Sequence, residues 1–136
     1  MQSYMSERQA RRDICDVGQK MYDKGFVAAN DGNISVRLTD DVIMVTPTAI
    51  SKGEMDPDAM VTMNLDGEIL SGKSRPSSEV KMHIAVYRQS KDIRSVVHAH
   101  PPISTAFAVA RRPLDKPIIS EAIMGLGVVP VAQYAK

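Results

Sequence analysis

The chain has 136 residues, 43% of them hydrophobic and 24% charged, with a formal net charge of +1. Its length and composition fit one globular domain, residues 1–136, whose core needs no staples. The balanced charge excludes a strong field for nucleic acid, a membrane surface or a polyanionic partner, and the absence of tryptophan with 4% aromatic content argues against base stacking on single strands.

In chain order, Ser6 with Gln9 matches a capping box, and Ala10, Ile14, Val17, Gly18 and Met21 recur at helical spacing. The pattern predicts an amphipathic helix over residues 7–24 that stops at Gly25. Cys15, the only cysteine, falls inside that helix and reads as a small apolar residue. One cysteine permits no intrachain disulfide and fits a reducing, cytoplasmic setting. The first eight residues show no apolar signal region, and no apolar run reaches membrane-spanning length.

Asn30-Asp31-Gly32-Asn33 is turn-rich, and Ile34, Val36 and Leu38 then alternate with Ser35 and Arg37 as in a strand. Asp40-Asp41 turns the chain into a second strand, Val42–Thr46. Thr46-Pro47-Thr48-Ala49-Ile50-Ser51 reads as a loop, and Asp56-Pro57 as a short helix start. Val61, Met63 and Leu65 lead through Asp66-Gly67 into a hairpin with Glu68-Ile69-Leu70. A polar loop, 71–78, precedes a helix whose apolar face carries Val80, His83, Ile84 and Tyr87. Ser95–His98 is a strand broken by Pro101-Pro102, Ser104 caps a short helix to about Ala110, and Ile118-Ile119 and Val128-Val129 are short strand candidates. Hairpins interleaved with helices point to an α/β protein with a mixed, largely antiparallel sheet flanked by helices.

The residues that carry chemistry lie at the element ends. His98-Ala99-His100 closes an apolar run, and residues two apart in an extended strand share a face. Two adjacent imidazoles suit a divalent metal, and with three histidines and one cysteine in the chain an open site fits better than a closed structural one. Histidines at strand ends also serve as simple hydrogen-bonding groups. Glu79 falls in the first turn of its helix, where the dipole favours a carboxylate, as a solvated residue or as a metal ligand and general base. His83, on the apolar face, reads as a hydrogen-bonded core residue or as support behind a ligand. Gly32-Asn33, Thr46-Pro47-Thr48 and Pro76-Ser77-Ser78 are ordinary turn and cap residues singly; together they offer N–H groups and hydroxyls for an anion.

The ordered motifs Gly32-Asn33-Ile34-Ser35-Val36-Arg37, Thr46-Pro47-Thr48, Pro76-Ser77-Ser78-Glu79 and His98-Ala99-His100 resemble the class II aldolase/adducin family over nearly the whole chain. The resemblance implies a three-layer α/β/α fold and a homotetramer. It implies a zinc ion on His98 and His100, with Glu79 as proton donor and acceptor that also touches the resting metal. It implies a substrate phosphate bound by Gly32, Asn33, Thr48, Ala49, Ser77 and Ser78; position 49 is alanine where fuculose-phosphate members have glycine, and its N–H survives. The implied activity is retro-aldol cleavage of a ketose phosphate such as L-fuculose 1-phosphate through an enediolate, with no Schiff-base lysine. A sugar-phosphate 4-epimerase, a methylthioribulose-phosphate dehydratase and a non-catalytic adducin-like interaction domain share the scaffold. The family supplies a third metal histidine further on; no histidine follows His100 here, so the resemblance implies a C-terminally truncated member.

Overall fold

Both faces of one small sheet are covered by helices, and that arrangement explains why the polar residues that alternate along β1 are buried as well as the apolar ones. A computed structural model describes residues 3–134, and the chain divides into two compact units, Met1–His100 and Pro101–Lys136. In the first, helix α1 (Glu7–Asp23) is followed by strands β1 (Asn33–Arg37) and β2 (Val42–Val45), a 3₁₀ turn (Pro57–Ala59) and strands β3 (Val61–Asn64) and β4 (Ile69–Ser71). Helix α2 (Val80–Gln89) and strand β5 (Ser95–His98) complete it. The sheet order is β4-β3-β2-β1-β5. Its ladders are all antiparallel, at the antiparallel end of the expected arrangement.

Helix α1 begins where Ser6 accepts a hydrogen bond from the Gln9 N–H. The box is only half made, because the Gln9 side chain donates to Asp13 instead. Ala10, Ile14 and Met21 of α1 pack with Ile34, Val36, Leu38, Met44 and Met60 on one face of the sheet. Ile84 and Tyr87 of α2 pack with Ile43, Val45, Val61 and Met63 on the other. The layers are therefore α/β/α, and β1 is buried at all five positions. Ser35 and Arg37, which alternate with the apolar residues of β1, are buried beneath α2. Arg37 donates to the carbonyls of Tyr87, Ser90, Ile93 and Asp40. It thereby caps the end of α2, where unpaired carbonyls and the helix dipole favour a cation.

In the second unit, helix α3 spans Pro102–Val109 and helix α4 Ser120–Gly125. Two expectations are corrected here. Ser104 does not cap α3: Pro101 occupies that position and Pro102 the first turn, where a residue with no N–H and a fixed φ fits best. Ile118-Ile119 is no strand but the approach to α4, while Val129 forms an isolated antiparallel bridge with Leu114. Among the described residues no helix is long and apolar enough to cross a membrane.

Candidate metal centre

Strand register begins the site. Asn33 at the start of β1 pairs with His98 at the end of β5, so both side chains rise from neighbouring strands on the α2 face. The chain reaches Asn33 through Gly32, whose φ is +70° and whose Cβ would lie 2.8 Å from the His98 carbonyl oxygen and 2.6 Å from Val27. Glycine is required there twice, for the left-handed backbone and for the close approach of β5. His100 follows just beyond the strand, its N–H donating to the Phe26 carbonyl at 2.9 Å.

The structure brings Glu79, His98 and His100 together: one ligand atom from each lies within 4.8 Å of the others. Glu79 Oε2 is 3.2 Å from His98 Nδ1 and accepts from Asn33 Nδ2 at 2.5 Å. The two imidazoles meet edge to face with centroids 4.8 Å apart. Glu79 stands at the N-cap of α2 rather than in its first turn, and its side chain makes no capping bond. Its carboxylate is turned away from its own helix toward β1 and β5. Two imidazole nitrogens and a carboxylate oxygen converging on one point form a donor set that fits a borderline divalent ion, with a position left open for substrate.

The anion-binding candidates are joined by backbone. Thr46-Pro47-Thr48 and Arg75-Pro76-Ser77 run antiparallel through a Pro47–Pro76 bridge. Proline donates nothing, so the flanking residues hold the pair: Thr48 N–H to the Arg75 carbonyl at 3.0 Å and Ser77 N–H to the Thr46 carbonyl at 3.1 Å. Those two amides are thus occupied, leaving the Thr48 hydroxyl and the Ala49 and Ser78 amides, which donate to no protein group among the described residues. The Ser77 hydroxyl accepts from the Glu79 N–H at 3.3 Å, which ties this loop pair to the acidic residue. Ala49 has φ +59°, a left-handed conformation that glycine adopts without cost.

Three residues near the cluster escape the sequence reading. Asp31, a turn residue by pattern, places Oδ2 3.8 Å from His100 Nδ1, close enough to act on that imidazole electrostatically though not within hydrogen-bond distance. Lys52 is buried, its ammonium donates to the Ile50 carbonyl at 2.6 Å, and burial lowers its pKa against the opposing pull of Asp31. Ser35 lies 2.6 Å from His83 Nδ1 and 2.8 Å from the Tyr87 hydroxyl. His83 is outside the ligand cluster: burial, with His98 nearby, pushes its pKa down to about 4 despite Glu79, so it is neutral at ordinary pH. Cys15 packs on the core with its thiol pKa raised by burial, away from these residues.

The family model described as Class II Aldolase and Adducin N-terminal domain matches residues 12–136. A 3-oxo-tetronate 4-phosphate decarboxylase of Pectobacterium atrosepticum is 33% identical over 97% of the chain and 62% of its own length. An L-fuculose phosphate aldolase of Methanocaldococcus jannaschii is 32% identical over 77% of the chain and 56% of its own length. Among solved structures, an L-fuculose 1-phosphate aldolase superposes with a TM-score of 0.86 at 28% identity, covering 98% of the chain and 62% of that protein. The chain thus spans about three fifths of the length of the relatives it matches.

Proposed function

The chain belongs to the class II aldolase and adducin family, and from that membership we propose that it is a zinc-dependent lyase that cleaves a phosphorylated ketose such as L-fuculose 1-phosphate by retro-aldol chemistry. The observation that carries the reading is the convergence of Glu79, His98 and His100 within 4.8 Å, beside a loop pair rich in hydroxyls and amides. His98, His100 and Glu79 would hold the zinc. When bound, it supplies Lewis-acid stabilisation of negative charge on the substrate's carbonyl and hydroxyl oxygens.

Glu79 carries the acid–base step. In the cleavage direction the hydroxyl proton passes to solvent, the electron pair of the broken C–C bond passes toward the carbonyl to give the enediolate, and Glu79, having taken up a proton from solvent, delivers it to the enediolate carbon. The reverse reaction begins with abstraction of that proton. Asn33, donating to the Glu79 carboxylate, holds it in place for either direction and joins it to the phosphate pocket. Gly32, Asn33, Thr48, Ala49, Ser77 and Ser78 form that pocket in this reading. Binding energy at the phosphate, remote from the broken bond, fixes the reacting carbon against Glu79. The proposal extends to residues 1–136 as one domain and to a cytoplasmic homotetramer acting on small molecules alone, without nucleic-acid or membrane partners.

A second reading has a specific support, the decarboxylase relative that matches nearly the whole chain. Loss of carbon dioxide from a 3-oxo acid phosphate also leaves an enolate that must be stabilised at its oxygen and protonated at carbon. One experiment separates the two. The zinc-loaded chain is incubated with ketose 1-phosphates and with 3-oxo acid phosphates, and release of dihydroxyacetone phosphate and of carbon dioxide is measured. Glu79→Gln, assayed at saturating zinc so that a weakened site is still filled, lowers turnover by roughly 10²-fold or more; undiminished turnover removes Glu79 from the chemistry.

A further inference from the structure

Three residues of β1, two apart, meet the N-cap residue of α2 and two residues within it, four apart. Asn33 donates to Glu79 at 2.5 Å. Ser35 hydrogen-bonds His83 at 2.6 Å. Arg37 donates to the Tyr87 carbonyl at 2.6 Å, with its guanidinium 4.8 Å from the centre of the Tyr87 ring. Two residues of strand advance about 6.7 Å and four residues of helix about 6.0 Å. The two periods agree well enough for three successive rungs, with α2 running parallel to β1.

The rungs lie in an otherwise apolar layer. On the same face, the β2 partners of Ser35 and Arg37 are Val45 and Ile43, and Ile84 of α2 packs against them. Asn33, Ser35, Arg37, His83 and Tyr87 are all at least 98% buried. A buried polar group without a partner costs more than a made hydrogen bond returns. Sliding α2 along β1 by even one residue unmakes all three rungs at once, whereas apolar contacts tolerate such a slip. The helix itself does not restrain the Glu79 carboxylate, which makes no bond to its own N-terminus.

We propose that the Ser35–His83 rung is a positioning device that sets the axial placement of α2 on β1 and so delivers the Glu79 carboxylate to His98 and His100. Ser35 and His83 are positioning residues; neither belongs to the ligand cluster. The inference rests on the metal-centre reading. Burial keeps His83 uncharged, so the rung is a neutral hydrogen bond, directional and short.

The test uses the full chain with cobalt(II) as probe. The dissociation constant, the visible d–d spectrum at saturation and the thermal midpoint are measured for the wild type, Ser35→Ala, His83→Phe and His83→Asn. Ser35→Ala and His83→Phe are expected to weaken cobalt binding roughly tenfold or more, the scale at which groups behind metal ligands act, and to alter the spectrum at saturation. His83→Asn, which keeps a hydrogen-bonding atom near the place of Nδ1, is expected to retain the wild-type spectrum. Wild-type affinity and spectrum in Ser35→Ala and His83→Phe, whatever their thermal midpoints, overturn the proposal and leave the metal centre standing. If His83→Phe does not fold, Ser35→Ala decides. A wild type that binds no cobalt overturns the metal centre and the positioning role with it.

Discussion

Replacing Gly32 by alanine probes the contact that brings β5 to β1. Two costs add. The φ of +70° places an alanine in the left-handed region, at roughly 1–2 kcal/mol. The new Cβ also lies 2.8 Å from the His98 carbonyl oxygen and 2.6 Å from Val27 Cγ1. One of those atoms is backbone, so strand β5 itself has to give, at roughly 1–3 kcal/mol for overpacking. The sum is about 2–5 kcal/mol, a large share of the stability of an ordinary domain. Gly67→Ala is the matched control: its φ is +93° and nothing lies within 4 Å of its Cβ, so only the conformational cost applies. Urea unfolding of both variants measures the difference, expected at about 1–3 kcal/mol in favour of Gly67→Ala. Gly32→Ala also displaces the backbone of His98 and is expected to weaken metal binding, while Gly67→Ala is not. Equal unfolding midpoints for the two variants refute the close-approach argument.

Asp31→Asn removes the carboxylate behind His100 and is expected to lower metal affinity about tenfold, read by competition with a chelator; unchanged affinity detaches Asp31 from the site. The depressed pKa of His83, about 4 in the fold against about 6.5 unfolded, has a definite sign. The unfolded chain binds a proton that the fold refuses, so the metal-free protein holds its full stability above pH 6.5 and loses up to about 3 kcal/mol as the pH falls toward 4. Ser35, Tyr87, Glu79 and His98 are the groups around His83. His83→Asn should flatten this part of the pH profile, and an unaltered profile would assign the loss to carboxylates instead. Arg37→Met removes the guanidinium donor from the carbonyls of Tyr87, Ile93 and Asp40, the Ser90 carbonyl keeping the Ile93 N–H, and is expected to cost about 3 kcal/mol in denaturant unfolding; a cost under 1 kcal/mol contradicts the capping role.

Much of the first unit was legible because its signals are local. Ser6, the α1 apolar stripe and Asp66-Gly67 each specify their element through neighbours in sequence, and each element forms where expected. The ordered motifs 32–37, 46–48, 76–79 and 98–100 made the family legible because the residue types are unusual together, and Glu79, His98 and His100 from two of them do meet in the fold. What escaped depends on partners distant in sequence. Ser35 and Arg37 alternate with apolar residues as solvent-facing groups do, and only the presence of α2 on the second face buries them. Asp31 has the sequence of a turn, and only the pairing of β1 with β5 brings it near His100. The second unit is the least legible. Its short apolar pairs at 118–119 and 128–129 carry no periodicity long enough to separate strand from helix approach, and Pro102 outweighs Ser104 as a start signal because its fixed φ suits the first turn.

The bridge between Pro47 and Pro76 bears on how an anion would be received at the phosphate site proposed beside it. Neither ring can rotate about φ, and the Thr48 and Ser77 amides are already engaged in backbone bonds, so the bridged loops have little freedom left to surrender on binding. Affinity then need not be spent on ordering the host. At that proposed site discrimination would fall to shape: a head group matching the spacing of the bridged loops would be held, and a bulkier one refused.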